Sequence, residues 1–468
     1  MFGVVSISFD STRPRRSLRA RPLPSPENPV TARVFHTSDW HLGRQIGRHR
    51  RDAEFDAVVN EIVDISADFA PDVIVHSGDL FDHRPGLDDF TRAAVALRRL
   101  GEIAPVVVVA GNHDNRNVLS FLDFMIRDVG TRPIAESRVR FATDARPGGL
   151  SITEFPARGG MTVRVGALPY LHANRFAYDF TDPAMATATY AERMRAVQAD
   201  VYRSLARDRG PRDVLVYAAH LFVEGATPSH SERQISIESE FASSAISLPE
   251  VDYGALGHIH KPQAIGGVGF TARYAGSPLQ MDFGETRDTK SVVLAEIEPG
   301  REPRIQVEPL ESGRRLVKLV GTLDQIRADA SRVGNAWVKV AVHLDSPVYG
   351  LSETLAAMMP EATIVDIDHR RPGNENQSLD KIVSADELPS VEEILREYLD
   401  TGNRMAGSTL DHIMSTLAAI QADPDPADGT SCCEANLLIA AIDGDTPQAI
   451  DRAGVLTAGH TTSSEEPR

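Results

Sequence analysis

Pro105-Val106-Val107-Val108-Val109-Ala110 runs directly into Gly111-Asn112-His113-Asp114. The apolar, β-branched residues between a proline and a glycine predict a buried strand of a parallel sheet. The polar tetrapeptide then falls at the strand's C-terminal end, where open α/β sheets place their sites. Four other segments end the same way, with Asp, His or Gly-Asp just after a β-like run.

On the N-terminal side, Arg33–Thr37 predicts a first strand that delivers Ser38-Asp39-Trp40-His41-Leu42-Gly43. Helical spacing of Phe55, Val58, Val59, Ile62, Val63 and Ile65 follows within Glu54–Phe69. Pro71–His76 is the next buried strand, ending in Ser77-Gly78-Asp79, and Asp88–Leu100 is a second helix. Strand, helix, strand, helix, strand implies a mostly parallel α/β sheet with right-handed crossovers.

On the C-terminal side, Val163–Leu168 is a strand and Pro183–Asp208 is mainly helical. Val214–Ala219 ends at His220, and Tyr253–Leu256 leads into Gly257-His258-Ile259-His260. Further β runs at 272–275, 291–297 and 304–307 predict a second sheet stacked on the first, with helices outside. Beyond Glu311, strands at 317–320, 336–342 and 363–367 around helices at 323–333 and 351–359 predict a small α+β domain over 312–372. Two amphipathic helices are expected within 388–422. The first 31 residues and the polar stretch 423–468 are expected to be disordered.

The totals narrow the class. The chain has 468 residues, 42% hydrophobic and 25% charged, with a formal net charge of −17. That charge argues against a protein that coats nucleic acid with its whole surface, but not against local binding aided by metal ions. The two cysteines, Cys432 and Cys433, imply a reduced cytoplasmic setting rather than a disulfide framework. No apolar run reaches the roughly eighteen residues of a membrane span. The N-terminal arginines 13, 15, 16, 19 and 21 are followed by no apolar signal core.

The polar strand-end residues are Asp39, His41, Asp79, Asn112, His113, His220, His258 and His260. Carboxylate, imidazole and one amide oxygen make a ligand set for Mn²⁺, Fe or Zn²⁺. Residues two apart on an extended backbone point the same way, so each Asp-x-His or His-x-His pair is expected to chelate. Asp79 has two oxygens and can bridge, so seven donors suit two metals roughly 3.5–4 Å apart. His113 is left to protonate a leaving oxygen, and Asp114 to hold its imidazole in one tautomer. A lone strand-end Asp or His is usually a cap; it is the set of five motifs that argues for chemistry. Trp40, Leu42, His36 and His76 are expected in the core, while His49, His83 and His230 lack a partner pattern.

The five motifs, Asp-x-His, Gly-Asp, Gly-Asn-His-Asp, His220 and Gly-His-x-His, resemble the calcineurin-like metallophosphoesterase superfamily over about Val34–Ile297. The resemblance implies a two-sheet sandwich flanked by helices, spanning about 32–300, followed by the small α+β capping domain. It also implies one metal on Asp39, His41, Asp79 and His260, a second on Asp79, Asn112, His220 and His258, and His113 as the acid. Within that superfamily, Phe35–Arg44, Gly78–Pro85, Ala255–Pro262 and Tyr274–Glu285 resemble the SbcD branch of nucleases.

That branch implies a Mn²⁺-dependent DNA nuclease with 3′→5′ exonuclease and endonuclease activity, with two divalent ions as cofactor. It also implies a homodimer within a heterotetramer with an SbcC-type coiled-coil ATPase, held by the helices of 388–422, in the cytoplasm on the nucleoid. Asp82 stands where archaeal and eukaryotic relatives carry a second His. Arg44, Arg48, Arg50 and Arg51 are candidates for backbone phosphate contacts. A small-molecule phosphodiesterase or phosphatase is the alternative, disfavoured by the extra domain after residue 312.

Overall fold

In a computed structural model, residues 30–126, 138–144, 151–172, 189–229, 243–344 and 348–370 are described. Most of the N-terminal extension, the helical segment 388–422, the tail with Cys432 and Cys433, and His230 lie outside them.

The first sheet contains β1 (Ala32–Thr37), β2 (Val73–His76), β3 (Val106–Val109) and β4 (Val139–Ala142), all parallel. Its other edge is extended by antiparallel β11 (Ser291–Ile297) and β12 (Arg304–Pro309), in the order β12-β11-β1-β2-β3-β4, so these two runs belong to the first sheet and not, as expected, to the second. The second sheet comprises β5 (Ser151–Ala157), β6 (Met161–Leu168), β7 (Asp213–His220), β8 (Tyr253–Gly257), β9 (Gln263–Ala264) and β10 (Ala272–Tyr274). Their order is β5-β6-β7-β8-β10-β9, with β6, β7, β8 and β10 parallel.

The two sheets stack through an apolar layer that includes Val34, Val75, Val107, Val165, Val216, Ala255 and Val293. Alternate residues of the same strands face outward. Phe35, Ile74 and Val108 pack with α1 (Asp52–Phe69), α2 (Leu87–Ile103) and α3 (Arg116–Ile126). Leu215, Tyr217 and Leu256 pack on α4 (Tyr190–Ala206). Both faces of β3 are therefore covered, which is why its sequence is an unbroken valine run. Each such side chain contributes about 1.5–3 kcal/mol by leaving water.

A third sheet, β13 (Leu316–Gly321), β14 (Trp337–His343) and β15 (Thr363–Arg370), is parallel. Its strands are joined by α5 (Leu323–Ala330) and α6 (Leu351–Met358), and Leu319, Val338, Val340, Ile326 and Leu355 form its own core.

Four of these elements were not expected: α3, β4, β5 and the two-residue β9. In α3, Leu119, Leu122 and Ile126 form a buried stripe at helical spacing, while Phe121, Phe124 and Met125 stay exposed on the other side. The helix expected from Pro183 is described from Tyr190, where Thr189 and Glu192 form a reciprocal capping box.

Candidate active site

All five motifs sit at C-terminal ends of parallel strands: Asp39 and His41 after β1, Asp79 after β2, Asn112 and His113 after β3, His220 closing β7, and His258 and His260 after β8. Because the sheets stack, the two sets of strand ends meet face to face. Asp39, His41 and His260 place ligand atoms within 4.8 Å of one another, as do Asp79, His220 and His258. The Asp79 Oδ2 stands between the groups, 3.5 Å from His41 Nε2 and 3.4 Å from His220 Nε2. Asn112 Oδ1 is 3.0 Å from His220 Nε2 and 2.9 Å from His258 Nδ1. All seven expected ligand residues are brought together.

The expected reason for the pairing was wrong. Asp39 and His41 are not extended; their φ angles are 50° and 45°, with Asp79 at 53° and His258 at 103°. Four of the expected ligands thus sit in the left-handed region, which costs on the order of 1–3 kcal/mol each and persists only where the surroundings over-determine it. The surroundings do so here. Asp39 N donates to Gly78 O, His41 N to Asp79 O, and His258 N to Asp39 Oδ1, at 2.9–3.0 Å. Close approach is possible because a Cβ at Gly111 would lie 2.1 Å from Asp79 Oδ1, and one at Gly257 would lie 2.2 Å from Ser77 O.

The buried polar atoms of this cluster are suited to cations. Asp39 Oδ2 and His41 Nε2 are buried without a hydrogen-bond partner among the described residues. A burial of this kind is costly unless something else satisfies the atoms. His220 Nδ1 lies 2.9 Å from Ser77 O, which places a proton on Nδ1 and turns Nε2 into the cluster. No thiolate is present, so the donor set is that of a hard or borderline divalent ion.

The same crowding shifts proton affinities. Burial pulls the His220 imidazolium down, but Asp79 and then Asp39 outweigh it and push the pKa up to about 9. Burial raises Asp79, yet the facing His220 and His41 rings hold its carboxyl well below the usual range. Asp39 is raised, by burial. Protons thus stand where positive charge is required, and a metal ion would replace them.

His113 is half-buried, and its Nδ1 is 2.5 Å from the Asp82 backbone carbonyl. The expected His113–Asp114 contact is a correction. Asp114 instead accepts from the backbone N–H groups of Leu80, Phe81 and Gly111, tying the β2 and β3 loops together. Burial, and then the neighbouring Asp79, push its pKa up to about 6. The arginine cluster divides. Arg51 is buried and paired with Glu54, so it is unavailable to phosphates. Half-buried Arg44 pairs with Asp82 at 3.2 Å, and exposed Arg50 pairs with Asp52. Arg48 is exposed. Trp40, Leu42, His36 and His76 are in the core as expected.

Sequence reading missed three participants. Asp82 Oδ1 is 3.2 Å from His41 Nδ1, Glu285 Oε1 is 3.1 Å from His260 Nδ1, and Tyr170 stacks on the His258 ring at 5.7 Å. In the sequence Asp82 is only the position where archaeal and eukaryotic relatives carry a second His, and only tertiary proximity gives the three residues these contacts.

Fold and cluster together define a metal-dependent phosphodiesterase. The calcineurin-like phosphoesterase family matches residues 32–262, and the type 5 capsule protein repressor C-terminal domain family matches 312–402. The chain belongs to the SbcD family. It is 32% identical to the SbcD component of the SbcCD nuclease of Bacillus subtilis over 324 residues, 67% of this chain and 79% of that protein. The corresponding component from Escherichia coli K12 is 26% identical, covering 82% of this chain and 97% of its own length. That of Rhodobacter capsulatus is 25% identical, covering 70% and 84%. No helix among the described residues is long and apolar enough to cross a membrane.

Proposed function

We propose that the protein is a Mn²⁺-dependent DNA nuclease with 3′→5′ exonuclease and endonuclease activity, working on nucleoid DNA in the cytoplasm. The observation that carries the reading is the convergence of five strand-end motifs on Asp79, with buried polar atoms left for cations. Asp39, His41, Asp79 and His260 would hold one ion, and Asp79, Asn112, His220 and His258 the other. Bound there, divalent ions supply Lewis acidity towards phosphoryl oxygens and a nucleophile at neutral pH.

The chain's own residues do the rest. His113 Nδ1–H donates to the Asp82 carbonyl, so in the charged ring it is the other N–H, on Nε2, that would protonate the leaving oxygen. Its partial exposure lets it reach a substrate. Arg48 and Arg50, on the exposed loop after the first motif, would grip backbone phosphates without reading sequence. His49 of the same loop packs on Trp337 of the third sheet, ring centroids 5.4 Å apart, so the small domain borders the site. Capping a cleft for a DNA end is the role assigned to it.

The reading includes a homodimer and an SbcC-type ATPase partner engaged by 388–422, making a heterotetramer. Leu87, Phe121, Phe124 and Met125 on α2 and α3 are exposed large apolar side chains, a surface suited to a second copy.

The test is Mn²⁺-dependent cleavage of end-labelled duplex DNA, compared with a small chromogenic phosphodiester. Shortening of the duplex should fall about 10²–10⁴-fold in His113→Gln, the range of one general acid, while metal content stays constant. Turnover of the small diester with DNA left intact, with or without the ATPase, would move the assignment to a small-molecule phosphodiesterase.

A further inference from the structure

His260 reaches the first cluster from a loop rather than a strand, and its orientation is set from behind. Glu285 is fully buried, and its Oε1 lies 3.1 Å from His260 Nδ1. The second oxygen of the same carboxylate accepts from Met281 N at 2.9 Å and from Lys290 Nζ at 2.6 Å. Lys290, also buried, donates in addition to the His260 backbone carbonyl and to Ser277 Oγ, each at 2.9 Å. The Glu285–Lys290 pair therefore holds both the side chain and the main chain of one expected ligand. Such an arrangement would be excessive for anchoring a loop, since Met281 N and Lys290 alone would satisfy one oxygen of the carboxylate. The other oxygen is spent on the imidazole.

We infer that Glu285 is a positioning residue for the first metal site. It accepts from His260 Nδ1–H, fixes the tautomer that turns Nε2 to the ion, and raises the ligand's basicity. A carboxylate behind a ligating imidazole has this effect generally, and its loss costs about 10–100-fold in metal affinity. The inference rests on the two-metal reading above. It predicts an asymmetry: Glu285 backs His260, which is assigned to the first ion, so the ion on Asn112, His220 and His258 should not depend on it.

The experiment is a Mn²⁺ titration of the full-length, metal-stripped protein, followed calorimetrically and by the spin-resonance signal of free Mn²⁺. Wild type is compared with Glu285→Gln and Glu285→Leu, with thermal melts in chelator to verify folding. Glu285→Leu should weaken one of two sites about 10–100-fold and leave the other unchanged. Glu285→Gln keeps an accepting oxygen without the charge, so its loss should be smaller and confined to the same site. Two wild-type affinities in a folded Leu variant would overturn the inference. Should Leu fail to fold, an unchanged Gln variant would overturn it equally. Equal weakening of both sites in a folded variant would also count against it, as a general structural effect. A wild type that binds fewer than two ions would instead refute the two-metal reading.

Discussion

Two buried clusters of charge lie among the described residues, and they are built on opposite rules. Where the third sheet meets the catalytic sheets, every charge is answered from within the chain. Arg51 pairs with Glu54 at 2.7 Å, Glu54 accepts from Trp337 Nε1 and Arg314 N, and the Arg314 guanidinium lies 3.9 Å from the Trp337 ring centroid. Gln280 completes the seam by accepting from Leu316 N. In the strand-end cluster, by contrast, Asp39 and His41 keep unsatisfied atoms, carboxylates face carboxylates, and backbone is strained. The contrast separates a buried network that stabilises from one that is completed by something from outside.

The sharpest way to break the comparison is at Asp79, the residue common to both halves of the cluster. Asp79→Asn should lower Mn²⁺-dependent cleavage at least about 10³-fold, the scale of losing one electrostatic stabiliser of a transition state. Metal-free stability should also fall at neutral pH, since Asp79 is the charge that holds the His220 proton. A folded variant that still cleaves would place the chemistry elsewhere. In the seam, stability alone should respond. Glu54→Ala leaves Arg51 buried without its partner and should cost about 3–5 kcal/mol of stability, read as a lower urea midpoint that Mn²⁺ does not restore. Retained stability would show that the seam does not hold the third sheet in place.

pH separates the clusters next. His220 has a folded pKa of about 9, above its ordinary 6.5, so its contribution in metal-free protein is complete below pH 6.5 and lost as pH rises towards 9. Glu54 is held below its ordinary value, despite burial, chiefly by Arg51, so its contribution is lost only as acid protonates it below about pH 4.5. Melting temperature without metal should therefore fall between pH 6.5 and 9, and added Mn²⁺ should abolish that fall. A flat metal-free profile would contradict the charge assignment. The smallest effect belongs to Arg48→Ala, which should reduce the salt dependence of duplex binding by about one ion without changing the cleavage of a small diester.

The legible part of the site was the set of polar residues that meet at the strand ends. Gly-Asn-His-Asp and Gly-His-x-His are local, and each follows an apolar run that identifies its strand. What misled was local geometry: Asp39 and His41 reach one side through left-handed turns, not through the alternation of an extended strand. Asp114 illustrates the same limit, because adjacency to His113 suggested a partner, whereas its carboxylate is used by three backbone amides from two loops. Arg51 reads as one of four similar arginines, and only burial against Glu54 sets it apart.

The sequence by itself determined the alternation of the first three strands with their helices, the buried valine strands, and which polar residues end them. These follow from periodicity and from short motifs, which are properties of neighbouring residues. Tertiary structure alone decided that the two sheets face each other with their strand ends aligned, that Asp79 Oδ2 stands between His41 and His220, and that Glu285 backs His260 from 25 residues away. Packing brings those atoms together across long loops, and no local pattern encodes a distance between residues that never neighbour one another in the chain.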